Sequence, residues 1–264
     1  MEAIQQFIRE IIEAAYCEPV RSPDAFKVCE AIGIERRAAL AGQSEDADCA
    51  QAPMAMSVRE EREGGRWIIY HDQTQRPERQ QFDVAHEIIE QFLVDNDDLI
   101  DTFTCGEEAE DADQWRAAMH EIAVFYTKDF LINRDFFEQD AQEFEGDLAA
   151  LKGLYPHASH EVLAYALLAQ SGPHAVLTII DEPEGSERKI YRRIRGDMWP
   201  MREPLLPEER ELIQACFASG EPVRAERDVR IPAWLYEGRI RLRADPVFEP
   251  GWKRVVLFLL ADQE

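Results

Sequence analysis

The sequence predicts an α+β chain. It has a mostly helical first part with a small β-hairpin, then a helix-turn-helix-like segment, then a C-terminal antiparallel-sheet domain. Three observations carry that reading. Apolar residues recur at helical spacing in several segments of the first 170 positions. After Gly172-Pro173 the chain turns to short runs rich in β-branched and aromatic residues, some alternating with arginine. The charge changes at the same place: residues 1–172 carry 14 Lys+Arg against 36 Asp+Glu, and residues 173–264 carry 15 against 17. The boundaries so drawn are 1–140, 141–172 and 173–264.

Ile4, Phe7, Ile8, Ile11 and Ile12 fall on one face of a helix over residues 2–16. Glutamates interrupt this segment, so it lacks the continuous apolar stretch and basic flank of a secretory signal. No apolar run in the chain reaches the length needed to span a bilayer. A cytoplasmic protein without membrane contact is therefore expected. "PDAFKVCEAIG" predicts a second helix, capped by Ser22 or Asp24 and stopped at Gly33. Residues 41–52 read as a loop. "MAMSVRE" and "RWIIYH" flank the turn-like "EREGG" and predict an antiparallel hairpin. "DQTQRPE" is a loop, and "FDVAHEIIEQFLV" lies on the helix that follows. The acid-rich stretch 95–114 lacks the alternating ligands and glycine of a calcium loop and reads as solvated. The next helix runs from about Asp113 to Leu131.

"EGDLAALKGLYPHASHEVLAYALLAQSG" predicts two short helices, with Leu148, Leu151, Val162, Leu163 and Leu167 inward and Ser159 as a cap. The second helix of this pair has no Arg or Lys to reach phosphates or base edges, so direct nucleic-acid binding is not expected of it. Strands follow at "HAVLTIID", "RKIYRRIR", "RIRLRAD" and "KRVVLFLLAD", with a helix at "PEERELIQACFASG". The arginines of "RIRLR" alternate with Ile240 and Leu242, as on a strand with one buried and one solvated face.

The bulk numbers set further limits. With 45% hydrophobic and 31% charged residues the chain is globular rather than disordered. The net charge of -24 opposes a grip on phosphate backbones and favours basic partners. Cys17, Cys29, Cys49, Cys105 and Cys216 form no C-x-x-C pair and read as reduced thiols.

The chemistry concentrates in "AHEIIE". His86 and Glu90 are four residues apart, so on a helix both side chains lie on one face and can share an ion. Zinc accepts imidazole nitrogen and carboxylate oxygen alike. Glu87 projects about 100° away, at the margin of such a site, where it could exchange protons with an attacking water and a leaving amine. By themselves these residues suit a charged surface helix better than a metal site.

The surroundings extend the pattern. "RQQFDVAHEIIEQFL" resembles the signature R-x-R-F-x-x-A-H-E-x-x-H of the ImmA/IrrE family of zinc metallopeptidases. Arg79, Phe82, Ala85, His86 and Glu87 match it; Gln81 replaces the second arginine, and Glu90 replaces the second histidine. "HEIAVFYTKDFLIN" is similar to the family's later helix, E-x-x-A-N-x-F-A-x-x-L-L-M-P, whose leading glutamate is the third zinc ligand. Aligned on "FLIN", Ala123 takes the family alanine and His120 the third-ligand position. The two departures are complementary, since one helix has Glu for His and the other His for Glu. The resemblance so aligned implies a metal set of His86, Glu90 and His120. Glu121, one residue on, is the rival third ligand, and it would cancel the dication's charge.

The resemblance covers about residues 1–170. It implies a zincin-like peptidase domain, an endopeptidase activity with Glu87 as acid–base, and Zn2+ as cofactor, although a carboxylate-containing site also accepts Mn or Fe. It further implies a helix-turn-helix transcriptional repressor as protein substrate, cut in stress response or mobile-element control. The peptide would lie along the edge of the hairpin containing "RWIIYH". The C-terminal domain would be a GAF-like sensor. The alternative is a non-catalytic regulator that keeps the peptidase fold. Of the other histidines, His71, at the end of the hairpin, is the one placed to approach the site.

Overall fold

The computed structural model describes residues 2–38, 55–60, 66–96, 112–195, 205–231, 236–249 and 251–261. They fall into two units, Met1–Asp140 with Lys152–Ser159, and Ala141–Leu151 with His160–Glu264.

In the first unit, α1 (Glu2–Tyr16) buries Ile4, Ile8, Ile11 and Ile12, the face that the spacing predicts. Asp24 caps α2 (Ala25–Ala31), its carboxylate accepting from Phe26 N at 2.8 Å. The chain leaves α2 through Gly33 at φ +77°, a left-handed turn that an L side chain resists, while the space around it is open. The hairpin forms as predicted: β2 (Ala55–Glu60) pairs antiparallel with β3 (Arg66–His71), Val58 opposite Ile68. The turn at 61–65, the loop predicted at 41–52 and most of the acid-rich stretch lie outside the described residues.

Sequence reasoning missed a third strand. β1 (Glu35–Ala38) pairs parallel with β3, Arg36 opposite Ile69, giving the order β1-β3-β2. "ERRA" has no apolar alternation, and it is a strand because the outer edge of β3 offers unpaired backbone groups. "RWIIYH" is the central strand, so a peptide cannot pair with it; among the described residues the sheet's outer edges belong to β1 and β2.

α3 (Pro77–Val94) opens with proline at its first turn and is buried on several sides, by Val84, Ala85, Ile88, Ile89 and Leu93. It packs against α4 (Ala112–Leu131). Sequence reasoning also missed α5 (Arg134–Glu143), a polar helix anchored by Phe137 against Tyr155, whose hydroxyl donates to Asp140 at 2.8 Å.

The two short helices of the helix-turn-helix-like segment are α6 (Leu148–Leu154) and α7 (His160–Gln170). Their predicted inward residues Leu148, Leu151, Val162, Leu163 and Leu167 are all buried. The second unit is built on a five-stranded antiparallel sheet of order β5-β4-β8-β7-β6. Its strands are β4 (Ala175–Pro183), β5 (Lys189–Arg195), β6 (Val223–Ile231), β7 (Tyr236–Glu249) and β8 (Trp252–Ala261). α8 (Pro207–Ser219) covers one face through Leu212, Ile213, Cys216 and Phe217. On β7, Ile240 and Leu242 are buried while Arg239 and Arg241 are exposed, as the alternation predicts. β6, "VRAERDVRI", is the second strand that sequence reasoning missed; it is dominated by charge and forms by pairing with β7. No helix among the described residues is long and apolar enough to cross a membrane.

Candidate metal centre

The helix α3 sets His86 and Glu90 one turn apart, with His86 Nε2 2.9 Å from Glu90 Oε1. The packing of α4 on α3 brings His120 to the same point. Its Nδ1 lies 3.1 Å from His86 Nε2 and 3.3 Å from Glu90 Oε1. The three donor atoms lie within 4.8 Å of one another, and no other group of three His, Cys, Asp or Glu converges in this way among the described residues.

The donor set fits a zinc ion. Two imidazoles and one carboxylate make a three-ligand set of the kind catalytic zinc sites use, with a fourth position left open. Donors about 2.0–2.1 Å from a tetrahedral ion stand about 3.3 Å apart, close to the separations here. His86 is 8% exposed, whereas the His120 side chain is 62% exposed, so the cluster is walled on the α3 side and open on the α4 side. Burial alone would raise the Glu90 carboxyl, but hydrogen bonding and charge from His86 and His120 outweigh it and hold the pKa below its ordinary value.

Each residue singled out from the sequence has a definite place. Glu87 is buried, one position on from His86. Glu121 is exposed and stands outside the converged group. His71 is buried with its ring 5.4 Å from that of Phe26; burial, then the charge of Arg36, push its pKa down, and it is not one of the three converged donors. His157, His160 and His174 are partly exposed and also stand apart from the group.

The flanking motif residues support His86. Phe82 lies parallel to its ring, with centroids 6.3 Å apart, and Arg79 sits over the Phe82 ring. Arg79 Nε is 2.9 Å from Asp83 Oδ1, a contact of charges rather than a well-aligned hydrogen bond. Burial raises the Asp83 carboxyl in spite of Arg79. Ala85 is fully buried, so a larger side chain there would have to displace its neighbours.

The departure at Gln81 has a physical reason. Its Oε1 accepts from Ala25 N at 2.7 Å, and its Nε2 donates to Asp24 Oδ1 at 2.8 Å. Gln81 thus ties α3 to the N-terminus of α2, and an arginine lacks the acceptor this needs. Sequence reasoning missed Gln81 and Asp83 as parts of the site's support. The i, i+4 spacing of Arg79 and Asp83 was the available signal.

The first unit thus sets a small sheet ahead of a His/Glu-bearing helix that packs on a second helix presenting a histidine. Residues 40–168 match the Peptidase_M78 family model, described as an IrrE N-terminal-like domain. That match is to the ImmA/IrrE-type family that the motifs resemble. A solved structure described as a Mycobacterium tuberculosis transcriptional regulator is similar to this chain at 13% identity, with a TM-score of 0.56. The match covers 98% of this chain and 88% of that one, a likeness of fold. No curated protein sequence matches significantly.

Proposed function

We propose that this chain is a zinc-dependent endopeptidase whose metal ligands are His86, Glu90 and His120. The observation that carries the reading is the convergence of those three donors from α3 and α4. When bound, zinc supplies a Lewis acid for the scissile carbonyl and lowers the pKa of water towards neutrality. His86 and Glu90 hold it from one helix face, and His120 closes the set from the facing helix. Glu87 takes the proton of the attacking water and hands it to the leaving amine, so one carboxylate serves as base and then acid. An extended peptide pairs along the outer edge of β2, since β3 is paired on both sides. The substrate class is a basic, DNA-binding transcriptional repressor, which suits the excess of 36 acidic over 14 basic residues in positions 1–172.

A second reading, a regulator that binds metal without cleaving, draws on the described role of the similar M. tuberculosis protein. One experiment separates the two. The full-length chain is incubated with helix-turn-helix repressors from its own genome, beside Glu87→Gln. The peptidase reading expects cleavage, and a variant that keeps its zinc but loses about 10²–10⁴-fold in rate. Zinc-loaded protein that cuts none of them supports the regulator. Undiminished cutting by Glu87→Gln removes Glu87 from the mechanism.

A further inference from the structure

We infer that Asp83 is the positioning partner of His86: its second carboxylate oxygen accepts a hydrogen bond from Nδ1–H of His86, which keeps the proton on Nδ1 and leaves Nε2 to face the ion. The inference rests on the metal-centre reading above. The observation behind it is a pair of stranded atoms. His86 Nδ1 and Asp83 Oδ2 are both sealed from solvent, and neither has a hydrogen-bond partner. Each such burial is costly, and buried polar groups are rarely left unpaired. Here the two orphans are of complementary type, one a nitrogen that can carry a proton and one an acceptor oxygen. They sit three residues apart on α3, the spacing at which side chains of a helix are neighbours.

The tautomer argument points the same way. His86 Nε2 is 2.9 Å from Glu90 Oε1 and 3.1 Å from His120 Nδ1, so it is the nitrogen that faces the candidate ion. A metal-binding nitrogen carries no proton, so the imidazole proton belongs on Nδ1 and needs an acceptor there. The ring of Phe82 beside the imidazole offers none. Asp83 is 5% exposed, and its other oxygen is held by Arg79.

The test reads the tautomer and the metal separately. In the 15N-labelled full chain, without and with zinc, long-range 1H–15N correlation identifies the His86 ring by its loss in His86→Ala. The expected result is a slowly exchanging proton on Nδ1 in both states, with Nε2 bare once zinc is bound. Asp83→Asn keeps an acceptor and should retain that protection, whereas Asp83→Ala should lose it. Zinc titration should show Asp83→Ala weakened about 10–100-fold and Asp83→Asn recovering most of that loss. A zinc-loaded chain whose His86 carries its proton on Nε2 overturns the inference, as does a folded Asp83→Ala with unchanged protection of the Nδ1 proton and unchanged zinc affinity. Should Asp83→Ala fail to fold, a His86 Nδ1 proton exchanging at solvent rate in the unaltered chain overturns it instead. If the unaltered chain binds no zinc yet shows the protected Nδ1 proton, the metal centre falls and the Asp83–His86 pairing stands.

Discussion

Glu90 and His120 are the candidate ligand positions at which this chain departs from the ImmA/IrrE signature, and they stand 3.3 Å apart. Exchanging the two residue types leaves two imidazoles and one carboxylate at the point of convergence. The account therefore expects the exchange to be reversible. Glu90→His or His120→Glu alone disturbs the ligand set, while the double change restores the family arrangement and should bind zinc more tightly than either single change. Isothermal titration of the three variants checks this, and strictly additive losses would make the exchange a coincidence. The pair His86/Glu90 was legible in the sequence because helical spacing alone sets it. The choice of His120 over Glu121 was not, because adjacent residues of α4 differ by about 100° and only the packing of α4 on α3 decides which one faces inward. Gln81 was read as a lost arginine. Its hydrogen bonds to residues 24 and 25, more than fifty positions away in sequence, could not be seen without the fold.

At the scale of elements, the site depends on how α3 is fixed at its start. Glu78 in the first turn of α3 is 2.8 Å from Lys152 Nζ, and that ammonium also donates to the carbonyls of Pro156 and Ala158. Burial tends to raise the Glu78 carboxyl, but the Lys152 hydrogen bond, a backbone hydrogen bond and the nearby cations outweigh it and depress the pKa. A depressed carboxyl stabilises the fold above its unfolded pKa, and the contribution fades as pH falls through the folded value. Glu78→Gln should therefore lower stability by about 0.5–1 kcal/mol at pH 7 in urea melts. The difference should close as pH drops below the carboxylate range; a penalty that is independent of pH would contradict this. Strong periodicity made α1 readable, and apolar runs bounded by turn residues and caps made α6 and α7 so. β1, β6 and α5 were missed because their sequences, "ERRA", "VRAERDVRI" and "RDFFEQDAQE", are mostly polar. Pairing with β3 and β7 in the first two cases, and the anchoring of Phe137 in the third, make them regular.

At the scale of the whole molecule, charge is the dominant property. A net charge of -24, nearly all of it in positions 1–172, would attract the proposed basic substrate over distances that salt controls. The screening length is about 10 Å at 0.1 M salt and about 3 Å at 1 M. With a basic repressor as substrate, kcat/KM should fall steeply as KCl is added, with kcat little changed; equal sensitivity of both would place the charge effect elsewhere. The α+β class and the family were readable because they rest on long periodic segments and on the match around His86. Zinc bound to the folded chain would also stabilise it, by about 2.7 kcal/mol at a hundred times its dissociation constant.

The central claim is that His86, Glu90 and His120 together hold a metal ion. Its most direct test is metal analysis of the purified chain and of His86→Ala, His120→Ala and Glu121→Ala after equal exposure to zinc. The account predicts close to one zinc per chain in the unaltered protein and in Glu121→Ala, and loss of zinc in both histidine variants. Zinc retained by His120→Ala and lost from Glu121→Ala would contradict it.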